Sequence, residues 1–317
     1  MKSFFKYAAC LAAMMLLVTA CSKDDNGNSG SGEPYVPTLN IPAAGTPVQY
    51  VAAQENSVIT FVELTADGTY IVGEPALVRG AESTTCVIEG KWKAKENNEY
   101  LLEGWGTMVV KVNEAGNAYV LSLTPADGVT TDVTVALVRG LTDDASRKLA
   151  ASWNAATVRA YVRIMTKTFD KEYTQEELPQ AKEDMLEYLN DVMSIVPESV
   201  REQLGDISEL ADQIDIAAIV QSDEFYTSYT LTTCGTVLLK SEDALVAGTW
   251  NWLDSKKTSI SLTPPTGEPL TGNVSYRQAQ LCFEPLIQEI AEVKERLGLL
   301  ATLGLDLHVY LYFDKVN

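Results

Sequence analysis

The sequence predicts a mainly β protein with an α-helical insertion, built from two antiparallel meander lobes that are each a β-barrel or a β-sandwich. Short β-rich runs separated by turn residues occupy residues 48–138, and the same pattern returns from residue 225. Between them, residues 174–220 have the apolar period of about 3.6 residues that is typical of helices. A meander of short strands, without alternating helices, argues against a parallel sheet of βαβ units.

The first lobe is predicted over residues 41–140. Its strongest signal is Asp67-Gly68, which lies between the β-rich runs 58–64 and 69–72. This dipeptide is typical of a hairpin turn in which both turn residues take positive φ. The remaining predicted strands are a first strand at 47–52 and later runs at 100–102, 107–112, 118–123 and 129–138.

The second lobe is predicted over residues 141–317 and has a long alternating strand near its start. One face of that strand carries Val158, Ala160, Val162 and Ile164, and the other carries Arg159, Tyr161 and Arg163. A helical insertion at 174–220 follows, opened by a capping box of Thr174 and Glu177 and interrupted at Pro197.

The last part of the second lobe combines one more helix and a closing strand. The helix is predicted at 285–299, with Pro285 in its first turn, where a missing N–H costs nothing. The closing strand, 305–313, alternates apolar and polar residues. Its polar face carries His308, Tyr310 and Tyr312.

A spaced pattern occurs once in each lobe. The segment from Leu64 to Thr69 matches the segment from Leu231 to Thr236 as L-T-x-x-G-T, and Gly90-Lys91-Trp92 matches Gly248-Thr249-Trp250. The physical interpretation is a hairpin followed by a strand that begins at a glycine. The tryptophan two residues later fills one end of a β-barrel or β-sandwich. The two lobes are therefore predicted to share a local design.

With Ser152-Trp153 placed before its hairpin, the second lobe resembles the lipocalin-like lipoprotein domains of Bacteroidetes over residues 150–280. The resemblance implies a small antiparallel barrel or sandwich that binds a small apolar ligand or a glycan. The candidate ligand-binding or barrel-lining residues are Trp92, Trp153, Trp250, Tyr310 and Tyr312. For Trp92 and Trp250, a purely structural role in the core is the favoured alternative.

The first 40 residues predict where in the cell the protein is located. Residues 1–20 combine a basic start, a short apolar run and small residues before Cys21, the pattern of a lipoprotein signal peptide. Cys21 is the predicted lipidation site, and residues 21–40 form a flexible acidic and Gly/Ser-rich tether. This start resembles lipoproteins of Bacteroidetes-type bacteria. The resemblance implies a lipid anchor in the outer membrane facing the cell exterior, with the periplasmic face as the alternative.

Net charge, cysteine content and histidine content limit the partners, disulfides and metal sites that the sequence predicts. The net charge of −19 disfavours nucleic acid as a partner. Once Cys10 is removed and Cys21 is lipidated, Cys86, Cys234 and Cys282 remain. They form one disulfide of unspecified pairing or stay as free thiols, which is the default expectation. No cofactor or metal is predicted, since the chain lacks a Cys-x-x-Cys pair and has a single histidine, His308.

Three functional hypotheses follow. The leading one is a non-enzymatic outer-membrane lipoprotein whose lipocalin-like lobes bind a small apolar ligand or a glycan. The second is a structural or partner-binding module that docks through the 174–220 helices onto an unknown protein. The third, an envelope hydrolase, requires carboxylates that converge in a cleft near a barrel end.

Overall fold

A computed structural model describes residues 39–54, 57–75, 86–204, 228–240, 245–265, 268–286 and 298–316. The predicted signal peptide, Cys21 and nearly all of the tether lie outside the described residues. Both β regions belong to one compact unit, Thr38–Asn317. The described residues form two closed antiparallel barrels, which confirms the predicted fold class.

The first barrel has eight strands that neighbour one another in chain order. Closure occurs where β1 pairs with β8, in a register that places Val48 opposite Arg139. The strands are β1 Val48–Ala52, β2 Phe61–Leu64, β3 Thr69–Glu74, β4 Cys86–Ala94, β5 Glu99–Leu102, β6 Gly106–Val112, β7 Tyr119–Pro125 and β8 Thr131–Arg139.

Period-two alternation explains how this barrel fills its interior. Side chains at every second position point inward, so Tyr50, Val62, Tyr70 and Leu121 are fully buried in one apolar cluster. The hairpin between β2 and β3 forms at Asp67-Gly68 as predicted, with one difference. Only Gly68 takes positive φ, because the loop is longer than two residues.

The second barrel also closes on itself, with β9 paired to β17, and β10 extends the sheet beyond the barrel. Its strands are β9 Ser152–Ile164, β11 Ser228–Leu231, β12 Thr236–Lys240, β13 Leu245–Trp252, β14 Ser259–Thr263, β15 Leu270–Arg277, β16 Gln280–Pro285 and β17 Asp306–Lys315, and the additional strand is β10 Lys167–Thr174.

The thirteen-residue strand β9 organises this barrel. Its first residues pair with β11, whereas its second half pairs with β10 on the same edge. The predicted alternation is confirmed, because Val158, Ala160 and Val162 are buried inside the barrel while Arg159 and Tyr161 lie outside. Strand β9 therefore carries both a core face and an accessible face.

Four α-helices and a 3₁₀ turn are described: α1 Asp144–Leu149, the turn Leu178–Gln180, α2 Ala181–Ile195, α3 Glu198–Leu204 and α4 Gly298–Ala301. The capping box forms, since the backbone N–H of Thr174 donates to the Glu177 carboxylate and that of Glu177 donates to Thr174 Oγ1. It encloses the turn of residues 175–177, directly before the 3₁₀ turn, rather than the start of α2. Pro197 separates α2 from α3, and residues 205–220 of the predicted insertion lie outside the described residues.

The predicted helix at 285–299 is wrong at its start. Pro285 is the last residue of β16, opposite Gly272 on β15. A proline fits there because a strand terminus does not require its N–H. Residues 287–297 lie outside the described residues, and the helical turn Gly298–Ala301 follows them.

Candidate functional site

The L-T-x-x-G-T turn of the first barrel is fastened to the following strand by a tryptophan. The Thr65 N–H donates to the Thr69 carbonyl at 2.9 Å, and Gly68 accepts from the Trp92 backbone N–H at 2.9 Å. The indole Nε1 of Trp92 donates to the Thr65 carbonyl at 3.2 Å. The turn and the G-x-W strand are thus one hydrogen-bonded unit.

The second barrel has the same three hydrogen bonds at the matching residues. The Thr232 N–H donates to the Thr236 carbonyl at 2.9 Å, and Gly235 accepts from the Trp250 backbone N–H at 2.7 Å. The indole Nε1 of Trp250 donates to the Thr232 carbonyl at 2.8 Å. Both indole N–H groups are therefore used within the fold, and the repeat has a structural explanation.

The candidate Trp153 is also a core residue. It is 2% exposed, and its Nε1 donates to the Leu149 carbonyl of α1 at 2.9 Å. Of the three candidate tryptophans, Trp153 and Trp250 are buried and Trp92 is half-buried against Tyr100. Trp153 and Trp250 belong to the core cluster of the second barrel, whereas Trp92 packs on that of the first.

An apolar pocket of about 20 Å³ lies inside the second barrel, where Trp153, Tyr229, Phe283 and Phe313 are among its lining residues. A space of this size holds about one water molecule, whereas small-molecule sites usually measure about 300–1,000 Å³. Around this pocket, the described residues of the second barrel are therefore packed as a core. An apolar ligand would enter it only by displacing side chains.

The outside of the same barrel presents three rings, which we call the aromatic face: Tyr161 on β9 and His308 and Tyr310 on β17. All three are half-buried. The ring centroid of His308 is 5.9 Å from that of Tyr161 and 5.9 Å from that of Tyr310, and the planes of His308 and Tyr310 are within 9° of parallel. This surface exposes ring area without enclosing it.

His308 is held between two carboxylates. Its Nδ1 is 2.5 Å from Glu284 Oε1, and its Nε2 is 2.8 Å from Asp306 Oδ1. Burial disfavours the imidazolium, but the hydrogen bonds to Glu284 and Asp306 outweigh it and raise the pKa of His308 above its ordinary value. The aromatic face is therefore centred on a ring that is readily protonated.

Two arginine–carboxylate pairs border the aromatic face. Arg159 binds Asp170 on β10 through two hydrogen bonds of 2.7 Å each. Arg277 binds Glu172 on β10 in the same bidentate way, at 2.7 and 2.8 Å. Such pairs fix planar polar groups in defined orientations beside the rings.

The two candidate tyrosines of β17 lie in different environments. Tyr310 belongs to the aromatic face, but Tyr312 is only 5% exposed, and the guanidinium carbon of Arg277 lies 3.7 Å from its ring centroid. Neither lies with the candidate tryptophans, which are in the core of the second barrel or, for Trp92, packed against the core of the first. The sequence therefore predicted the outward orientation of Tyr310 and missed its neighbours Glu284 and Arg159, which come together only through sheet register.

An open surface groove of about 560 Å³ lies beside β10 and the 3₁₀ turn, and Glu172, Glu176, Glu177 and Asp184 line it together with Lys171. The hydrogen bond from Arg277 lowers the pKa of Glu172 to about 2, and that from Lys171 lowers the pKa of Asp184. A general acid requires a raised pKa, so these two carboxyls do not fit that role.

Cysteine and metal chemistry gain no site from the described residues. Cys234 and Cys282 are free thiols, and the side chain of Cys86 lies outside the described residues. Burial raises the pKa of Cys282, which makes that thiol a poor nucleophile. Within the described ranges, no group of three or more His, Cys, Asp or Glu residues could hold a metal ion.

In the part of the chain that the structure describes, every helix is too short or too polar to span a bilayer.

Sequence reasoning also missed Glu63 on β2. Its side chain is completely buried, although it lies on the outer face of the first barrel. On an alternating strand, a glutamate at an outward position ordinarily faces water, so the sequence gives no signal for this burial. The contact that covers Glu63 comes from the second barrel.

The fold and site define a class, an antiparallel protein with two eight-stranded barrels and a helical insertion in the second. No family model and no curated protein matches the chain. Among solved structures, it is similar to a protein of unknown function of the DUF3598 family from Nostoc punctiforme, at 10% identity and a TM-score of 0.17. That alignment covers 85% of this chain and 94% of the other. At this TM-score, the similarity supports no functional assignment.

Proposed function

We propose that this protein is a non-enzymatic, lipid-anchored glycan-binding protein of the outer membrane, held through Cys21 with its barrels at the cell exterior. The aromatic face is the proposed glycan site. One observation carries the proposal: three half-buried rings stand side by side on the outer surface, bordered by bidentate arginine–carboxylate pairs.

The chemistry of a sugar suits this surface. The C–H groups of a pyranose pack on aromatic rings, whose faces carry partial negative charge, while its hydroxyls hydrogen-bond with carboxylate and guanidinium groups. Tyr161 and Tyr310 provide ring area, and Arg159, Asp170 and Glu284 provide donors and acceptors. Small apolar ligands fit less well, because the pocket in the second barrel measures only about 20 Å³.

The helical insertion gives less support to the alternative of partner docking. The apolar side of α2 is already covered, since Met185, Leu189, Val192 and Met193 are buried in the core cluster. A docking helix would instead expose such residues. We therefore favour the aromatic face over α2 as the recognition surface.

Calorimetric titration of the mature protein with short malto-, cello- and manno-oligosaccharides tests the glycan site. We expect saturable binding to one class, weakened about tenfold or more by Tyr310→Ala, which corresponds to about 1.4 kcal/mol. Tyr310→Phe keeps the ring and should retain most of the affinity. Val129→Ala, at an 85% exposed residue of the first barrel, is the control and should change nothing. Equal affinity for wild type and Tyr310→Ala, or no saturable binding at all, would contradict the proposal.

The anchor has its own test, with a matched control in the same leader. Cys21→Ala should move the protein out of the membrane fraction or leave it unprocessed, because it removes the acylated thiol. Cys10→Ala lies in the predicted signal peptide and should leave anchoring intact. A processed, membrane-held Cys21→Ala protein would disprove lipidation there. Protease treatment of intact cells then separates exterior from periplasmic exposure.

A further inference from the structure

The two barrels meet around one buried acid. Glu63 is 0% exposed, and it points away from the first barrel because its neighbours Val62 and Leu64 point inward. It meets the L-T-x-x-G-T turn of the second barrel. Backbone contacts join the same place, since the Leu141 N–H donates to the Thr233 carbonyl at 2.9 Å.

The contact leaves no spare space beside the turn. A Cβ added at Gly140 would come within 2.7 Å of Thr233 Oγ1 and 2.9 Å of Pro47 Cβ. The linker after β8 and the turn of the second barrel are therefore in close packing. A polar group enclosed there has little access to water.

The hydrogen bonds of Glu63 satisfy only one of its two oxygens. Its Oε2 is 2.5 Å from Thr236 Oγ1 and accepts a longer bond, 3.3 Å, from Gln49 Nε2. Gln49 also donates to Thr236 Oγ1 at 2.8 Å. Among the described residues, Oε1 accepts no hydrogen bond of ordinary geometry, although the side chains of Thr232 and Cys234 are close enough to the carboxyl to favour its charged form.

The surroundings of Glu63 contain no compensating cation among the described residues that bond with it. Gln49 on β1, Ile71 opposite it on β3, and Thr232 and Thr236 of the second barrel are uncharged. The titratable group facing Glu63 is the Cys234 thiol, whose pKa is raised by burial and then by the carboxyl itself. Burial likewise raises the pKa of Glu63, and its hydrogen bonds offset this only in part.

We propose that Glu63 is a proton-dependent latch between the barrels: the neutral acid lets the Leu231–Thr236 turn seat against β1 and β2, and loss of its proton loosens that contact. An ionised carboxylate enclosed without a cation is costly, so the barrels separate locally to let water reach it.

The direction with pH follows from linkage. A folded-state pKa above the unfolded value means that the folded protein binds more protons, so stability falls as pH rises between those two values. The latch is therefore closed in mild acid and weakens as pH rises through the folded pKa.

Cys234 supplies a direct probe of latch opening, because it lies beside Glu63 and is half-buried in the closed contact. We compare iodoacetamide labelling of Cys234 with that of buried Cys282 by peptide mass spectrometry, from about pH 5 to about pH 9. In wild type, the Cys234/Cys282 ratio should rise about tenfold or more over this range. In Glu63→Gln, which cannot ionise, the ratio should stay nearly constant.

Electrostatics alone predicts the opposite change, which makes this readout decisive. In a contact that stays closed, ionised Glu63 would raise the pKa of Cys234 further and slow its labelling. Glu89→Gln, at an exposed acid of β4, is the matched control and should behave as wild type. A flat wild-type ratio overturns the proposal by itself, even if Glu63→Gln fails to fold, and so does an equal rise in Glu63→Gln.

Discussion

The two L-T-x-x-G-T turns have the same internal hydrogen bonds but different surroundings. Asp67 of the first turn is exposed and bonds locally to Thr65 and Thr69. Cys234 occupies the matching position of the second turn, where its half-buried thiol lies against Glu63 of the other barrel. The residues that the two turns share determine the turn conformation. The residue at the variable position, Asp67 or Cys234, differs with the surroundings of each turn.

The acids near the two turns show the consequence of this difference. Burial raises the pKa of Asp67, but hydrogen bonds from Thr65 and Thr69 outweigh it and leave the pKa lowered. Burial also raises the pKa of Glu63, and there it prevails. Two carboxyls only four residues apart thus shift in opposite directions, because one remains near water and the other is enclosed.

The largest expected difference between the two turns is in the stability lost when each indole is removed. Trp250 is 3% exposed, so Trp250→Ala should cost about 3–5 kcal/mol. Trp92→Ala, at a half-buried residue, should reduce the free energy of unfolding by about half as much. Urea unfolding of both variants measures the difference. Trp250→Phe keeps most of the buried area and loses the hydrogen bond to Thr232, so its loss of unfolding free energy should be well below that of Trp250→Ala. Equal losses in Trp92→Ala and Trp250→Ala would show that burial does not distinguish the two tryptophans.

Most of the fold could be predicted because its signals are local. Alternation along β9, the Asp67-Gly68 turn and the capping box at Thr174 each depend on residues close in sequence. The helix predicted to start at Pro285 failed for the same reason. Proline suits both a helix start and a strand end, and only pairing with Gly272 decides between them.

The site was less predictable, because its partners are distant in sequence. The outward orientation of Tyr310 follows from alternation, but Arg277 and Glu172 are 105 residues apart and meet only through the order of strands. Glu63 and Thr236 are 173 residues apart and meet only because the barrels touch. Neither contact leaves a periodic signal.

The threonines that follow the two glycines give a smaller contrast. Thr236→Val removes the hydroxyl that bonds Glu63 in an enclosed contact, so it should cost about 1–3 kcal/mol. Thr69→Val removes exposed bonds to Asp67 and Lys91 and should stay within about 0.5 kcal/mol. Thermal unfolding at one pH compares them. A cost at Thr69 as large as that at Thr236 would show that the turn itself, rather than the barrel contact, sets both values.

The smallest and sharpest contrast is in pH dependence. Asp67→Asn should destabilise by less than about 1 kcal/mol near neutral pH, because an exposed carboxylate is screened by water. Since the folded-state pKa of Asp67 is lowered, its contribution exists above the unfolded pKa and disappears as pH falls through the folded value. Glu63→Gln should show the reverse, with no effect in acid and a gain in stability as pH rises. Urea midpoints across pH for both variants measure the two slopes, and slopes of the same sign would mean that enclosure by the second barrel does not govern Glu63.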